Sequence, residues 1–207
     1  MLTIFGHPGS TCTRKVLMTL AETAAPYELV SVELAAGEQK KPPHLSRQPF
    51  GQIPAIDDEG FSLYESRAIC RYLNERFQGN LVPVDIKGRA LMEQWISIET
   101  SNFSPFAMKF IYHDVFKRPQ DPAVLEAAGK SVETALRVMD ARLAASPFLA
   151  GPQFSLADVS FMPYIEYAKA TPLKTMLTKF PAVSAWWSKV GERPTWRRVT
   201  SPALAKR

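Results

Sequence analysis

The sequence is poor in cysteine and has no long apolar run. Its 207 residues include only two cysteines, Cys12 and Cys70, which do not form a Cys-x-x-Cys motif. This scarcity argues against a disulfide framework and against a zinc site held by thiolates, and it fits the reducing cytoplasm. No run of about 18 apolar residues occurs, so we expect no membrane span. The N-terminal residues, MLTIF, lack the basic and then apolar order of a secretory signal.

The net charge of +5 raises the question of nucleic-acid binding. Much of the excess positive charge lies near the C-terminal end, at Arg193, Arg197, Arg198, Lys206 and Arg207. These residues do not alternate with aromatic residues in the manner of a stacking platform, and no nucleic-acid-binding motif is recognisable. We therefore expect a solvated basic tail, no nucleic-acid partner and a mild attraction for small anions.

The first part of the chain is expected to be an α/β domain. Apolar residues 2–5 predict a buried strand, which a turn cluster joins to a segment with apolar residues at helical spacing. Residues 27–32 alternate like a second strand. A polar stretch at 35–48 is expected to be an exposed loop with one short helical turn, and a turn at 57–60 between two apolar runs predicts a hairpin. With a helix expected from Ser66, this order predicts a mixed four-stranded sheet with helices packed against it.

The rest of the chain is predicted to be helical. Glycine, asparagine and proline mark residues 78–87 as a linker. Beyond it, Ser155 and Asp158 have the spacing of a capping box. The predicted helices include 90–116, 122–145 and 182–190. We therefore predict an α/β domain at 1–77 and an all-α domain at 88–207.

Four motifs, taken in order, carry a resemblance to a known family. They are GHPGSTCTR at 6–14, GEQK at 37–40, QPFGQIPA at 48–55 and ESRAI at 65–69. Together they make the whole chain resemble a cytosolic glutathione transferase, most of all the serine-dependent phi class, with the theta and bacterial beta classes as neighbours. The resemblance implies a thioredoxin-like N-terminal domain, an all-α C-terminal domain and a cytoplasmic homodimer. It also implies an enzyme that conjugates glutathione to hydrophobic electrophiles in detoxification.

The resemblance implies that the first domain binds the glutathione tripeptide. The cysteinyl backbone is expected to pair like a strand with Ile53. The resemblance also implies a cis bond between Ile53 and Pro54, which a fold can accommodate because cis X–Pro lies only ~0.5–1 kcal/mol above trans. The γ-glutamyl carboxylate suits the helix N-terminus at Ser66, where free N–H groups and the helix dipole favour an anion. Glu65 is expected to meet the ammonium group. Without the resemblance, Ser66 is equally consistent with a simple N-cap and Glu65 with a surface acid.

The glycyl carboxylate of glutathione needs a cation in the polar stretch. Lys40 is the candidate, with help from Gln39 and Gln52, and Lys41 is an alternative to it. Many phi-class chains have histidine at the position of Gln39.

Ser10 is the residue expected to activate glutathione. A free thiol with a pKa of ~8.5 is only ~3% thiolate at pH 7, and the thiolate is the nucleophile. A hydroxyl hydrogen bond and a helix N-terminus both favour the anion, and lowering the pKa by ~2 units would make it about three-quarters thiolate. Ser10 is a donor in this hypothesis, although it also suits a simple N-cap. We expect no metal and no cofactor, because glutathione is consumed as a cosubstrate.

Two other functions are consistent with the same residues. Cys12, near the start of the first helix, could form a mixed disulfide with glutathione and make the protein a thiol transferase or reductase. The sequence favours Cys12 and Cys70 as small buried apolar residues instead. The third hypothesis is a non-catalytic binding protein that keeps the fold.

Aromatic residues crowd the helix after the linker. Phe106, Phe110 and Tyr112 are the candidates for a pocket that binds the electrophile, and packing in the core explains them equally well. Phe50 is expected to contact the second subunit of a homodimer, or else to anchor its own loop.

Overall fold

The structure, a computed structural model, describes residues 1–201. Two members of the basic C-terminal group, Lys206 and Arg207, therefore lie outside the described residues. The described chain divides into two compact units, one formed by Met1–Leu81 together with residues 193–201, the other by Val82–Glu192. The domain limits set from the sequence remain a prediction.

The first unit is built on a four-stranded mixed sheet, as predicted. Its elements are β1 (Leu2–Gly6), α1 (Thr11–Thr23), β2 (Glu28–Ser31), α2 (Pro42–Leu45), β3 (Ala55–Asp58), β4 (Phe61–Tyr64) and α3 (Ser66–Arg76). The strand order is β2-β1-β3-β4, with β1 parallel to β2 and the other neighbours antiparallel. Helices α1 and α3 pack against each other, and α3 contacts β3 and β4. Ile4, Leu17, Ile56, Ile69 and Leu73 are fully buried in this core.

The polar stretch at 35–48 is more ordered than the sequence indicated. It contains a 3₁₀ turn at Glu38–Lys40 followed by α2. Two prolines occupy the first helical positions, where proline is favoured because its missing N–H has no partner to lose. The prediction of an exposed loop is wrong for His44 and Gln48, which are only 4% and 2% exposed.

The second unit is helical. Its helices are α4 (Ile86–Ile98), α5 (Ser104–Phe110), α6 (Pro122–Ala144), α7 (Leu156–Ala168), α8 (Leu173–Leu177) and α9 (Pro181–Gly191). The predicted long helix to Phe116 is confirmed, with two π-helical turns inserted at Glu99–Phe103 and Ile111–Val115. Pro105 follows the first of these turns, and the wider turn relieves the clash that proline causes inside a helix.

The core of the second unit contains packed aromatic rings and the buried carboxylate of Asp158. The ring of Phe161 lies 5.2 Å from that of Phe103 and 6.2 Å from that of Trp95, centroid to centroid. The predicted capping box is confirmed, since Ser155 and Asp158 cap the start of α7 reciprocally. The sequence did not indicate that the Asp158 carboxylate would also accept the indole N–H of Trp186 at 2.9 Å.

The last described helix, α10 (Pro194–Val199), belongs to the first unit and packs on α1. The Glu22 carboxylate at the end of α1 accepts two hydrogen bonds from the Arg193 guanidinium, at 2.6 and 3.0 Å, and one from the Thr195 hydroxyl. The charge of Glu22 is almost entirely removed from water, with 9% of its side chain exposed, so this contact holds α10 in place.

Candidate functional site

The segments predicted to bind glutathione meet at one edge of the sheet. Phe5 near the end of β1 pairs with Ala55 at the start of β3, and Ala55 pairs with Tyr64 at the end of β4. The chain just beyond β1, just before β3 and just beyond β4 therefore lies along the same edge. Because β2 runs parallel to β1, the stretch with Gln39 and Lys40 also leaves the sheet at this edge.

Ser10 is the N-cap of α1. Its hydroxyl oxygen accepts the Thr13 N–H at 3.3 Å, and its own N–H donates to the His7 carbonyl at 2.8 Å. His7 also accepts the Gly9 N–H through Nδ1, and Arg14 Nε donates to the Pro8 carbonyl, so the loop is held at several points. The Ser10 side chain is half-buried. Its hydroxyl proton donates no hydrogen bond within the described residues, so the proton remains available to a ligand.

Thr13 joins the start of α1 to the end of β1. It is fully buried, and its hydroxyl oxygen has no hydrogen-bond partner among the described residues. A Cβ added to Gly6 would lie 2.8 Å from that oxygen and 3.4 Å from Pro54 Cβ. Only glycine fits at position 6. The close contacts of Gly6 with Thr13 and with Pro54 bring the start of α1 near Pro54. Thr13 therefore packs against the end of β1 and forms no side-chain hydrogen bond within the described residues.

The Ile53–Pro54 peptide bond is cis, as predicted. The residue before it, Gln52, uses both of its backbone groups internally, since its N–H donates to Gln48 Oε1 and its C=O lies 2.6 Å from His44 Nε2. Neither the N–H nor the C=O of half-buried Ile53 forms a hydrogen bond within the described residues. An extended peptide can therefore pair with Ile53 as a strand would.

Glu65 and Ser66 stand at the start of α3. The N-cap residue is Glu65, and Ser66 is the first helical residue, so Ser66 is not the N-cap. Glu65 has φ 71 and ψ 103, a conformation that costs a non-glycine residue free energy and is concentrated at functional sites. The Glu65 side chain is exposed and does not cap the helix, whereas Ser66 is 4% exposed. The free N–H groups of the first turn thus remain for an anion.

Gln39 and Lys40 lie against the turn that precedes the cis proline. Lys40 Nζ donates to the Phe50 carbonyl at 2.9 Å, which leaves two of its three N–H groups for a carboxylate. A Cβ on Gly51 would lie 2.6 Å from Lys40 Cδ, so glycine is required for this approach. Gln39 Oε1 is buried and has no hydrogen-bond partner among the described residues. Lys41 and the Gln52 side chain are exposed.

The two cysteines differ in their surroundings. Cys70 is buried in α3, and burial raises the pKa of its thiol to about 11, so this thiol stays protonated near neutral pH. Cys12 is a free, half-buried thiol at the second position of α1, so the prediction that it would be buried is wrong. Its position at a helix N-terminus keeps the disulfide-exchange hypothesis open.

The aromatic candidates are all at least partly exposed. Phe106, Phe110 and Tyr112 are half-buried in the second unit, and Phe110 Cζ lies close to Gly129 of α6. Tyr112 packs near Phe116 with ring centroids 6.1 Å apart. In the first unit, 65% of Phe50 is exposed, and its ring meets that of Tyr64 edge-on.

His44 and Gln48 are site residues that the sequence did not single out. Both lie in the stretch assigned to a loop, yet both are buried and contact the backbone beside the cis proline. Their spacing of four places them on one side of a short helix and its continuation, and this was the only signal available. Within residues 1–201, no three side chains of His, Cys, Asp or Glu come together as metal ligands, and no helix is long and apolar enough to cross a membrane.

Comparison with known proteins agrees with this geometry. Family models described as "Glutathione S-transferase, N-terminal domain" and "Glutathione S-transferase, C-terminal domain" match residues 1–75 and 103–194. Glutathione S-transferase F6 of Arabidopsis thaliana, named in the F series of the phi class, is 38% identical over 202 residues, covering 95% of this chain and 97% of that protein.

Solved structures agree over both units. The crystal structure of glutathione transferase F7 from Populus trichocarpa has a TM-score of 0.92 at 32% identity, with 99% of each chain covered. Glutathione S-transferase I from maize, solved in complex with an atrazine glutathione conjugate, has a TM-score of 0.89 at 31% identity, covering 99% of this chain and 98% of that one. The chain therefore belongs to the glutathione S-transferase family of enzymes.

Proposed function

We propose that this enzyme conjugates reduced glutathione to hydrophobic electrophiles and that the Ser10 hydroxyl stabilises the glutathione thiolate. The observation that carries the proposal is the hydrogen bonding of Ser10. Its oxygen accepts the Thr13 N–H while its proton stays available, and the half-buried Ser10 stands at a helix N-terminus beside the cis proline. The thiolate attacks the electrophilic carbon and forms the new C–S bond, and the leaving group departs with the electron pair of the broken bond.

The hydrogen bond from Ser10 is large enough for this role. Lowering the pKa of a thiol by ~2 units requires ~2.7 kcal/mol of differential stabilisation. A hydrogen bond to a charged group contributes about 1.5–3 kcal/mol, and the N-terminus of α1 adds a smaller favourable term. The two effects together can therefore make most of the bound glutathione a thiolate near neutral pH.

The remaining groups of glutathione have partners along the same edge of the sheet. The γ-glutamyl carboxylate binds the N–H groups at the start of α3 with Ser66, and Glu65 receives the ammonium group. Lys40 binds the glycyl carboxylate, with Gln39 and Gln52 beside it. The open backbone groups of Ile53 support pairing with the cysteinyl residue.

The second unit is proposed to carry the residues that contact the hydrophobic electrophile. Phe106, Phe110 and Tyr112 are proposed to contact the electrophile, because half-buried aromatic rings offer apolar surface that the core does not fully use. The maize relative was solved in complex with an atrazine glutathione conjugate. This supports a similar class of substrate here.

We also propose a homodimer in which Phe50 contacts the partner subunit, since a phenylalanine with 65% of its surface exposed is expected to be covered in the working protein. Sedimentation of Phe50→Ala should then show monomers at concentrations where the wild type is dimeric. The two free thiols support a reducing, cytoplasmic compartment.

A thiol-transfer function is the second candidate, because Cys12 is a free thiol that is only half-buried at the same helix N-terminus. Attack of the Cys12 thiolate on the disulfide of a glutathionylated substrate would form a mixed disulfide between Cys12 and glutathione and release the other sulfur as a thiolate; glutathione thiolate would then regenerate Cys12 and leave as glutathione disulfide. Loss of disulfide exchange in Cys12→Ala, with conjugation unchanged, would establish this as a separate activity.

The test of the main proposal compares Ser10→Ala with Ser10→Thr, which keeps a hydroxyl at the N-cap. Conjugation of a generic aryl halide should fall about 10- to 100-fold in kcat/KM for Ser10→Ala and less for Ser10→Thr. The pKa of bound glutathione, followed by thiolate absorbance against pH, should rise by about one to two units in Ser10→Ala. Full activity and an unchanged pKa in Ser10→Ala would rule out the mechanism.

A further inference from the structure

Two buried polar side chains hold the backbone of one residue beside the proposed glutathione site. His44 Nε2 lies 2.6 Å from the Gln52 carbonyl oxygen, and Gln48 Oε1 accepts the Gln52 N–H at 3.1 Å. Because a carbonyl oxygen can only accept, His44 Nε2 carries the proton and donates it. His44 is 4% exposed and Gln48 is 2% exposed, so the side-chain partner in each hydrogen bond is buried.

The segment that carries these side chains is itself fixed. Gly51, with φ 62, donates its N–H to the Gln48 carbonyl at 2.9 Å and closes a turn that brings Gln52 back to the Gln48 side chain. The ladder between β1 and β3 reaches only to Ala55, so Gln52 has no strand partner of its own. The two side chains replace that partner.

These hydrogen bonds use both backbone groups of Gln52 and leave those of the next residue open. His44 and Gln48 hold the Gln52 peptide, and the chain then bends at Ile53, just before the cis bond to Pro54. Neither group of Ile53 has a hydrogen-bond partner within residues 1–201.

We propose that His44 and Gln48 are positioning residues for glutathione. They hold the Gln52 peptide so that Ile53 presents its N–H and C=O to the cysteinyl backbone of the tripeptide. This inference rests on the proposed use of glutathione at this edge of the sheet, and it assigns to the two residues a role in affinity for glutathione rather than in activation of its thiol.

The test replaces each residue with an apolar one of similar size, as His44→Phe and Gln48→Met. Each change leaves one partly buried backbone group of Gln52 unpaired and free to move, so the KM for glutathione should rise about tenfold. The kcat, the KM for the aryl halide and the pH midpoint of kcat should stay at the wild-type values, because Ser10 lies on another element. His44→Gln, which keeps an N–H donor, should recover part of the affinity.

Ser46→Ala is the matched control. It removes a hydrogen bond from the exposed Ser46 hydroxyl to the Pro43 carbonyl in the same segment, without touching Gln52. Its KM for glutathione should equal that of the wild type. Melting temperatures are measured for all variants, and if His44→Phe does not fold, Gln48→Met decides the result.

Calorimetric binding of S-methylglutathione separates this inference from the mechanism of thiol activation, because the analogue has no thiol to activate. Weaker binding in His44→Phe and Gln48→Met, with tight binding kept in Ser10→Ala, supports the positioning role whatever the fate of the Ser10 mechanism. Unchanged binding in folded variants would overturn it. A fall in kcat that parallels a loss of melting temperature would also overturn the positioning role. Failure of the wild type to bind the analogue would overturn both proposals.

Discussion

Replacing Asp158 with asparagine should change the stability of the protein by an amount that depends on pH. Burial raises the pKa of this carboxyl group from 3.8 to about 6. Hydrogen bonds from Leu149, Trp186 and Ser155 favour the ionised form but only partly offset burial. The folded protein therefore binds this proton more tightly than the unfolded chain does.

The sign and size of the effect follow from linkage. The stability contributed by the protonated group is fully present below the unfolded pKa of 3.8 and is lost as the pH rises through about 6. Between about pH 4.5 and about pH 7.5 this loss is about 2 kcal/mol. Asparagine has no proton to lose. The free energy of unfolding of Asp158→Asn, relative to that of the wild type, should therefore rise by about 2 kcal/mol between these two pH values.

Urea unfolding followed by tryptophan fluorescence, at one protein concentration and both pH values, measures this difference. The other titrating groups are common to both proteins, so their contributions cancel. Trp186→Phe provides a second arm: it removes an N–H donor that favours the ionised carboxylate, so it should lose more stability at about pH 7.5 than at about pH 4.5. A difference between wild type and Asp158→Asn that does not vary with pH would refute the reasoning.

Three further changes test the packing of the first unit. Thr13→Val removes a buried hydroxyl that has no partner, so it should raise the free energy of unfolding by about 1 kcal/mol, and a lower melting temperature would contradict this. Gly6→Ala puts a methyl group 2.8 Å from the Thr13 hydroxyl oxygen and should cost about 1–3 kcal/mol in urea unfolding, part of which the Gly6→Ala/Thr13→Ala double variant should recover. Glu22→Gln leaves the Arg193 guanidinium without its charged partner and should cost about 2–3 kcal/mol, whereas a loss below about 0.5 kcal/mol would show that the contact is unimportant.

Much of the fold was predictable because its signals are local. The alternation of residues 27–32 and the turn at 57–60 predicted the sheet, and the capping pair of Ser155 and Asp158 predicted the start of α7. The residues that line the candidate site at one edge of the sheet were predictable from the four motifs taken together. The short helices α8 and α10 were missed, since a helix of five or six residues is too short to show a period.

The contacts that were missed join side chains to groups elsewhere in the chain. Nothing local indicates that His44 reaches the Gln52 carbonyl or that Trp186 donates to Asp158, because such hydrogen bonds depend on tertiary packing. The same limit applies to Cys12, whose exposure is decided by its neighbours in space rather than by its place in the helix. The positive φ of Glu65 could not be predicted either, because a glutamate rarely adopts a positive φ.

The place of α10 has a consequence for the order in which the chain can mature on the ribosome. Its helix completes the first unit by packing on α1, but it is encoded after the whole of Val82–Glu192. At about 5–20 residues per second, translation of that intervening stretch takes roughly 5–20 seconds. During this interval Glu22 lacks its partner Arg193, whereas the second unit can already fold. The first unit to emerge is thus the last to be finished.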